Sequence, residues 1–342
     1  MSDIPGHVVE RELRRAAGRR VLRTVFGGVP CVTRIITTGQ VEAHRGDGVR
    51  SLVVNGFGAV TALGDDIGMT LEGYAVAARH LRDPGSPPRW TRAVDGGVTG
   101  DGFVYVSTRW VDGQPLHLAE EPFIEEQQRK ITFSLLDLLV ALHRVNVVYG
   151  DLKLANLVRR DDGGLALIDL DTLREVDGPS GRTVLRDRSP RWAAPEQLER
   201  SEIWMASDLW AAARIVRSIF GEEPPSEWVL PLAACRHPHP LKRPTAASLR
   251  AYLRGEGAGL LDHRGELVDR EVVLRESTPW TSHAPGGERT DRGGEKTERV
   301  DDHAGVPTPD ATERVDDAPV VGGGGRVAPP TVFPPAASGA RV

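Results

Sequence analysis

The sequence predicts an α+β fold with two lobes: a β-rich N-terminal lobe with one helix, then a mainly helical lobe. Short β-branched and aromatic runs between glycine-rich turns fill roughly the first 115 residues. Apolar residues at helical spacing fill the stretch from about residue 120 to residue 254. From about residue 255 the chain is rich in Gly, Pro and charged residues and has only two aromatics, which predicts a disordered tail.

The composition points away from several classes of protein. A net charge of −5 over 342 residues is too small to indicate nucleic acid or a membrane surface as a partner. Cys31 and Cys235 lie far apart, which indicates neither a disulfide framework nor a zinc site. No segment approaches the roughly 20 apolar residues of a membrane span, and no secretion signal is evident at the N-terminus. We therefore expect a cytoplasmic protein.

Periodicity places the elements of the two lobes. The N-terminal lobe is predicted to hold strands VLRTVF (21–26), CVTRII (31–36), VRSLVV (49–54) and FVYVSTRWV (103–111), and the helix MTLEGYAVAARHL (69–81). The second lobe is predicted to hold helices over 120–143, 207–220 and 245–253, the last capped by Thr245, and a hairpin that ends in LALIDLDTL (165–173).

One short stretch concentrates polar side chains after a long helix. VYGDLKLANLVRR (148–160) places Asp151, Lys153 and Asn156 within six residues, and Asp169 follows the hairpin. A carboxylate can accept the proton of an attacking hydroxyl, and a nearby cation can neutralise a transferring phosphate. Carboxylate and amide oxygens are ligands that Mg²⁺ prefers. The pattern therefore predicts phosphoryl-transfer chemistry.

The same residues resemble the protein kinase-like superfamily. YGDLKLAN stands where many members read H-R-D-x-K-x-x-N, and DLD (169–171) stands where they read D-F-G. Three motifs follow in the family's order: AAPEQL (193–198) resembles A-P-E, SDLWAAARI (207–215) resembles the D-x-W-x-x-G helix, and KRPTAASL (242–249) resembles the closing R-P motif. The resemblance is strong over about 103–254 and weak over 1–102.

The resemblance implies a Ser/Thr protein kinase that uses ATP and Mg²⁺ or Mn²⁺ on a protein substrate. Asp151 would be the catalytic base and Lys153 the partner of the γ-phosphate, while Asn156 and Asp169 would hold the metal. Arg243 would pair with Glu196, as the corresponding residues do in the family. The implied domains are a divergent kinase N-lobe over 1–110, a C-lobe over 111–254 and the tail over 255–342.

In the N-lobe the resemblance is partial. FVYVSTRWVDGQPL (103–116) resembles the fifth strand and hinge, so backbone groups at Thr108, Trp110 and Val111 would bind adenine. Glu72 lies on a helix resembling the one whose Glu pairs with the nucleotide-binding lysine, yet no lysine precedes Lys130.

Two alternatives for the missing lysine remain open. Arg34 in CVTRII could replace it, which requires a large insertion because 38 residues separate Arg34 from Glu72. Alternatively the strand is GAVTAL (58–63), with Ala62 near the lysine position and no cation. The glycine-rich loop has two candidates as well, NGFGAV (55–60) and FGGV (26–29).

The segment before the A-P-E motif resembles an activation segment. Within RTVLRDRSPRWAAPE (182–196), Thr183 and Ser189 are candidate phosphorylation sites. Gly150 replaces the Arg that docks a phosphorylated loop in many regulated kinases, so activity is expected not to depend on loop phosphorylation.

Two other functions compete with the Ser/Thr kinase. The missing lysine suggests a pseudokinase that serves as an interaction module, and the YGDL loop is also compatible with a kinase for small molecules or lipid-linked sugars. In the tail, TERV occurs twice and places Thr297 and Thr312 as candidate sites for a phosphothreonine-reading partner.

Overall fold

The computed structural model describes residues 3–58, 63, 65–81, 88–119, 121–185, 189–221, 223–257 and 259–277. All of them belong to the first of two units of the chain, Met1–Ala304, and the second unit, Gly305–Val342, lies outside the described residues. Both TERV repeats and residues 59–62 of GAVTAL lie outside them as well.

The N-terminal lobe is built on a five-stranded antiparallel sheet with the spatial order β1-β2-β3-β5-β4. Its strands are β1 His7–Ala16, β2 Arg19–Phe26, β3 Val29–Gln40, β4 Ala93–Val98 and β5 Phe103–Arg109. A two-residue turn joins β2 to β3, and both of its glycines, Gly27 and Gly28, have positive φ (54° and 79°). Such turns match the twist of paired strands, which explains why FGGV forms a hairpin here.

Residues 43–55, between β3 and the next long helix, are helical, so the strand predicted over 49–54 was wrong. Helix α1, Gly46–Arg50, continues into a wide helical turn over Ser51–Asn55. Its buried residues Val49, Leu52 and Val53 follow an i, i+3, i+4 spacing, and this face packs on β4. The packing is close because a Cβ at Gly96 would lie 2.4 Å from the Val53 side chain. Burial of this face outweighs the β propensity of valine.

Helix α2, Asp65–His80, packs between the sheet and the second lobe. It buries Leu71, Tyr74 and Ala75. At Gly73 a Cβ would lie only 2.2 Å from the carbonyl oxygen of Leu170, so a glycine is required at this contact. The close approach fixes α2 against the backbone of the DLD motif.

The second lobe is mainly helical, as predicted. Its helices are α3 Glu125–His143, α4 Pro195–Arg200, α5 Met205–Ile219, α6 Ser226–Ala234, α7 Ala246–Leu253 and α8 Arg270–Glu276. Its short strands are β6 Gln114–Pro115, β7 Val147–Val148, β8 Leu157–Arg159, β9 Leu165–Leu167, β10 Arg174–Glu175, β11 Arg182–Val184 and β12 Glu202–Trp204. The predicted cap of α7 is confirmed, because Thr245 accepts a hydrogen bond from the backbone N–H of Ser248 (3.1 Å).

A buried ion pair ties α4 to the loop before α7. Arg243 donates to Glu196 with both terminal nitrogens, at 2.7 and 2.8 Å, and is completely buried. Ser207 of α5 donates a further hydrogen bond to the same carboxylate at 2.7 Å. The pairing of Glu196 with Arg243 implied by the sequence resemblance is therefore present in the fold.

Residues 259–277 are folded, so the prediction that the tail begins at residue 255 was wrong about its start. Leu260 and Val273 are buried in the main core, and Glu276 at the end of α8 lies 3.0 Å from His237. The low aromatic content of this stretch concealed a short helix that packs on α6. Residues 278–342 lie outside the described part of the chain. None of the helices in the described part has the length and apolarity needed to cross a membrane.

Candidate active site

A buried carboxylate on α5 fixes the loop that follows α3. Asp208 accepts hydrogen bonds from the backbone N–H groups of Tyr149 and Gly150, each at 2.9 Å, and lies 3.1 Å from His143 Nε2. Gly150 has φ +82°, and a Cβ there would lie 2.7 Å from Leu185. A side chain at residue 150 would therefore be strained, and the loop leaves α3 in one defined direction.

Asp151 and Lys153 form an ion pair at the start of this loop, with 2.8 Å between Lys153 Nζ and Asp151 Oδ2. Ser189, in the segment before the A-P-E motif, contacts both: its N–H donates to Asp151 Oδ1 at 3.0 Å and its hydroxyl accepts from Lys153 Nζ at 2.8 Å. Burial raises the pKa of Asp151, although Lys153 and Ser189 oppose that rise. A carboxyl with a raised pKa is suited to accept a proton.

The predicted hairpin of β8 and β9 brings Asn156 and Asp169 to the same region. Ile168 donates a backbone hydrogen bond to Asn156 O at 2.9 Å, and the Asn156 amide nitrogen donates to Asp151 O at 3.0 Å. The amide oxygen of Asn156 is then left for another partner. Asp169 has φ +64°, a backbone conformation that is unusual for residues other than glycine and that clusters at functional sites.

These two residues fit a hard divalent cation. Asp169 Oδ1 is buried, and no hydrogen-bond donor of the described residues reaches it. Buried oxygens rarely lack a partner, so the orphan is explained if a cation binds there. The described residues contain no group of three or more His, Cys, Asp or Glu arranged around one point. A sparse set of protein oxygens is typical of Mg²⁺ sites that phosphates complete.

Arg34 on β3 faces this site. Its Nη2 lies 3.2 Å from Asp169 Oδ2, and its Nη1 donates to the hydroxyl of Tyr74 at 2.9 Å. Burial alone would raise the pKa of Asp169, but the charge of Arg34, together with a hydrogen bond with Asp171 and the charges of Arg19 and Lys153, holds the pKa below its usual value. Of the two alternatives for the missing lysine, the fold therefore favours Arg34. The required insertion is the helical segment before α2.

Glu72 does not pair with Arg34, which corrects the expectation for α2. Its carboxylate instead lies 3.4 Å from Arg174 Nε and is about half exposed (48%). Tyr74, two residues further along α2, lies on the buried side of the helix, and its hydroxyl accepts a hydrogen bond from Arg34. Burial raises the pKa of Tyr74, so the hydroxyl is neutral and can accept the bond from Arg34. The sequence held a hint of this, because Tyr74 belongs to the apolar face of α2.

Neither glycine-rich candidate lies at the β1–β2 turn. FGGV forms the β2–β3 turn, and NGFG follows the inserted helical segment, where Gly56 ends the wide turn with φ +76°. The β1–β2 turn instead reads A-A-G-R, and Arg19, the first residue of β2, reaches Asp171 Oδ2 at 3.0 Å. Both glycine-loop assignments therefore stay predictions.

The hinge residues follow β5. Thr108 is buried, and the backbone N–H of Trp110 donates to Pro30 O at 2.9 Å. The guanidinium of Arg23 stacks over the indole of Trp110, with 3.9 Å between Arg23 Cζ and the ring centroid. Within the described part of the chain the backbone N–H of Val111 has no hydrogen-bond partner. Of the three predicted positions, Val111 thus has the backbone donor that a ligand could use.

Arg174 is a residue of the site that the sequence analysis missed. Its guanidinium donates to the carbonyl oxygens of Asp171 and Leu173, at 2.9 and 2.8 Å, and to that of Met69 at 2.9 Å. It thereby joins the start of α2 to the DLD motif, beside the close contact of Gly73. A lone arginine after a hairpin carries no sequence pattern that would reveal this role.

Comparisons with known proteins agree with this geometry. Residues 100–229 match the family model "Protein kinase domain". "Serine/threonine-protein kinase F" of Synechocystis sp. is 29% identical over 143 residues, which cover 40% of this chain and 29% of that protein. "Serine/threonine-protein kinase plk-1" of Caenorhabditis elegans is 29% identical over 112 residues, covering 33% of this chain and 17% of that protein. "RAC-beta serine/threonine-protein kinase B" of Xenopus laevis is 36% identical over 97 residues, covering 28% and 20%.

The matched segment spans less than a third of each of these relatives. The region that the family model matches, residues 100–229, includes the loop of Asp151, the hairpin to Asp169 and the helix of Asp208. The N-lobe sheet order, the inward cation of β3 and the Glu196–Arg243 pair agree with the same assignment. Over residues 100–229 the chain is thus similar to a protein kinase domain.

Proposed function

We propose that the chain is a Ser/Thr protein kinase, transferring the γ-phosphoryl group of ATP to a hydroxyl of a protein. The observation that carries this proposal is the proximity of two ion pairs, Asp151 with Lys153 and Asp169 with Arg34, close enough that Asp169 acts electrostatically on Asp151 and Lys153 on Asp169. A carboxylate with a raised pKa and two cations are the groups that such a transfer requires.

In the proposed reaction the substrate hydroxyl oxygen bonds to the γ-phosphorus, and the bond from that phosphorus to the β–γ bridging oxygen breaks. ADP leaves with that oxygen, and the hydroxyl proton passes to Asp151. Lys153 neutralises charge on the transferring group, and Arg34 binds the remaining phosphates. A divalent cation, held by Asn156 and Asp169, would neutralise the phosphate oxygens and orient them.

The contacts favour an active enzyme over a pseudokinase. A protein that had lost nucleotide chemistry would have no need for a positive charge opposite Asp169, yet Arg34 supplies one at 3.2 Å.

The contacts around the A-P-E motif also favour a protein substrate over a small molecule. Ser189, shortly before the A-P-E motif, contacts both Asp151 and Lys153, and the buried ion pair of Glu196 with Arg243 holds that motif in place. These contacts support an ordered platform beside the base, which an extended peptide can use.

The proposal is tested by transfer of radiolabelled phosphate from ATP, with Mg²⁺ or Mn²⁺, to the protein itself and to a generic basic protein. We expect label on serine or threonine after acid hydrolysis, and a loss of roughly 10²- to 10⁴-fold in Asp151→Asn. Asp162→Asn, in the exposed β8–β9 turn, serves as the control. Absence of label from the unaltered protein under all these conditions would refute kinase activity and favour the pseudokinase.

A further inference from the structure

Two arginine–aspartate pairs lie side by side beneath the sheet. Arg19 Nη1 lies 3.0 Å from Asp171 Oδ2, and Arg34 Nη2 lies 3.2 Å from Asp169 Oδ2. The two aspartates are separated by one residue; the side chain of Asp171 is 7% exposed and that of Asp169 is 22% exposed. The Arg19 side chain is 36% exposed and that of Arg34 only 12%, so Arg19 forms the outer member of the set.

The two guanidiniums project from one face of the sheet because of its register. Arg19 lies opposite Ile36, and Val21 lies opposite Arg34, so all four residues share the face that looks toward the second lobe. Arg20 alternates to the opposite face, where it pairs with Glu12 at 2.9 Å. The strand register therefore orients Arg19 toward the same side of the sheet as Arg34.

The β1–β2 turn contains one glycine, Gly18, with φ +74°. A glycine-rich loop would present several backbone N–H groups to phosphate, and a single glycine does not build such a cradle. A guanidinium supplies the same function by another route, because its planar fork binds phosphate oxygens with two hydrogen bonds. Arg19, at the end of this turn, is positioned to supply it.

We propose that Arg19 and Asp171 form a second phosphate- and metal-binding pair beside Arg34 and Asp169, in place of a glycine-rich loop. With a nucleoside triphosphate and a divalent cation bound, Asp169 and Asp171 would hold the cation, and the guanidiniums of Arg19 and Arg34 would bind phosphate oxygens. This inference rests on the proposed function, since it assigns further residues to the same nucleotide site.

The charges explain why this exchange requires both ligands. A divalent cation alone would meet the guanidiniums of Arg19 and Arg34, which already pair with Asp171 and Asp169. A triphosphate alone would meet the carboxylates of Asp151, Asp169 and Asp171. When the divalent cation and the triphosphate bind together, the two guanidiniums would pair with phosphate oxygens and the divalent cation would pair with the carboxylates, including the buried Asp169 Oδ1. Nucleotide and metal should therefore bind cooperatively.

The test is calorimetric binding of a non-hydrolysable ATP analogue to the full chain, with Mg²⁺ and with the metal chelated. We expect Mg²⁺ to tighten binding strongly in the unaltered protein. Arg19→Gln should weaken binding of the analogue with Mg²⁺ by about 10- to 100-fold, the effect of losing hydrogen bonds to a charged group. Arg19→Lys should recover part of it. Arg20→Gln, on the other face of the same strand, should bind within about twofold of the unaltered protein.

The outcomes separate the inference from the proposed function. If the unaltered protein binds the analogue with Mg²⁺ and Arg19→Gln binds it equally well, Arg19 has no phosphate role and the inference is overturned, while the proposed function stands. If the unaltered protein does not bind the analogue with Mg²⁺, both are overturned. Unfolding midpoints of the Arg19 variants show whether any loss arises from misfolding.

Discussion

Asp169→Asn is expected to lower phosphoryl transfer by at least about 10²- to 10³-fold, because it removes the charge that would hold the divalent cation. The substitution keeps the shape of the side chain, and asparagine tolerates the left-handed backbone that residue 169 adopts (φ +64°). The loss should therefore arise from chemistry. The measurement is the initial rate of transfer at saturating ATP and Mg²⁺, with circular dichroism to verify folding.

A surface carboxylate provides the matched control for that variant. Asp137 on α3 is 41% exposed, and its ion pairs are with Arg250 and Arg254, outside the proposed site. Asp137→Asn should transfer phosphate at close to the unaltered rate. If Asp169→Asn and Asp137→Asn had similar rates, Asp169 would not hold an essential cation.

The largest expected effect on stability comes from Glu196→Gln. The change leaves the fully buried Arg243 without its carboxylate, and breaking one partner of such a pair costs about 3–5 kcal/mol. Burial alone would raise the pKa of Glu196, but the hydrogen bonds and charge of Arg243 outweigh it and hold the pKa below its usual value. The stability that the pair provides is thus present above the pKa of the unfolded glutamate and is lost as the pH falls.

Denaturant unfolding of the full chain measures this effect. Glu199→Gln on the same helix, where the side chain is exposed, is the matched control and should change the free energy of unfolding by no more than about 0.5 kcal/mol. Equal unfolding midpoints for the two variants at neutral pH would contradict a structural role for the buried pair.

The second lobe could be predicted well from the sequence because its signals are local. Asp151 and Asn156 lie on one loop, and the hairpin that returns the chain to Asp169 has its own turn signal in DDGG. Helices α3, α5 and α7 have long periodic faces or a capping residue, and each lies close to its predicted bounds.

The N-terminal lobe was harder because its partners are distant in sequence. The valines of 49–54 have β propensity, yet a helix forms there because its apolar face meets β4 and α2. Tyr74 and Arg174 gain their roles only from the packing of α2 on the DLD motif, to which Gly73 and Met69 contribute backbone contacts. Glycine pairs were a misleading signal, because they build hairpin turns as readily as phosphate loops.

The most direct test of this account is the phosphoryl-transfer rate of Arg34→Ala beside Arg34→Lys. We expect a loss of at least about 100-fold in Arg34→Ala, because the positive charge that β3 places opposite Asp169 disappears. Arg34→Lys should recover a measurable part of the rate, since it restores the charge without the fork. If Arg34→Ala instead transfers phosphate as fast as the unaltered protein, Arg34 does not replace the missing lysine and the nucleotide site proposed here is wrong.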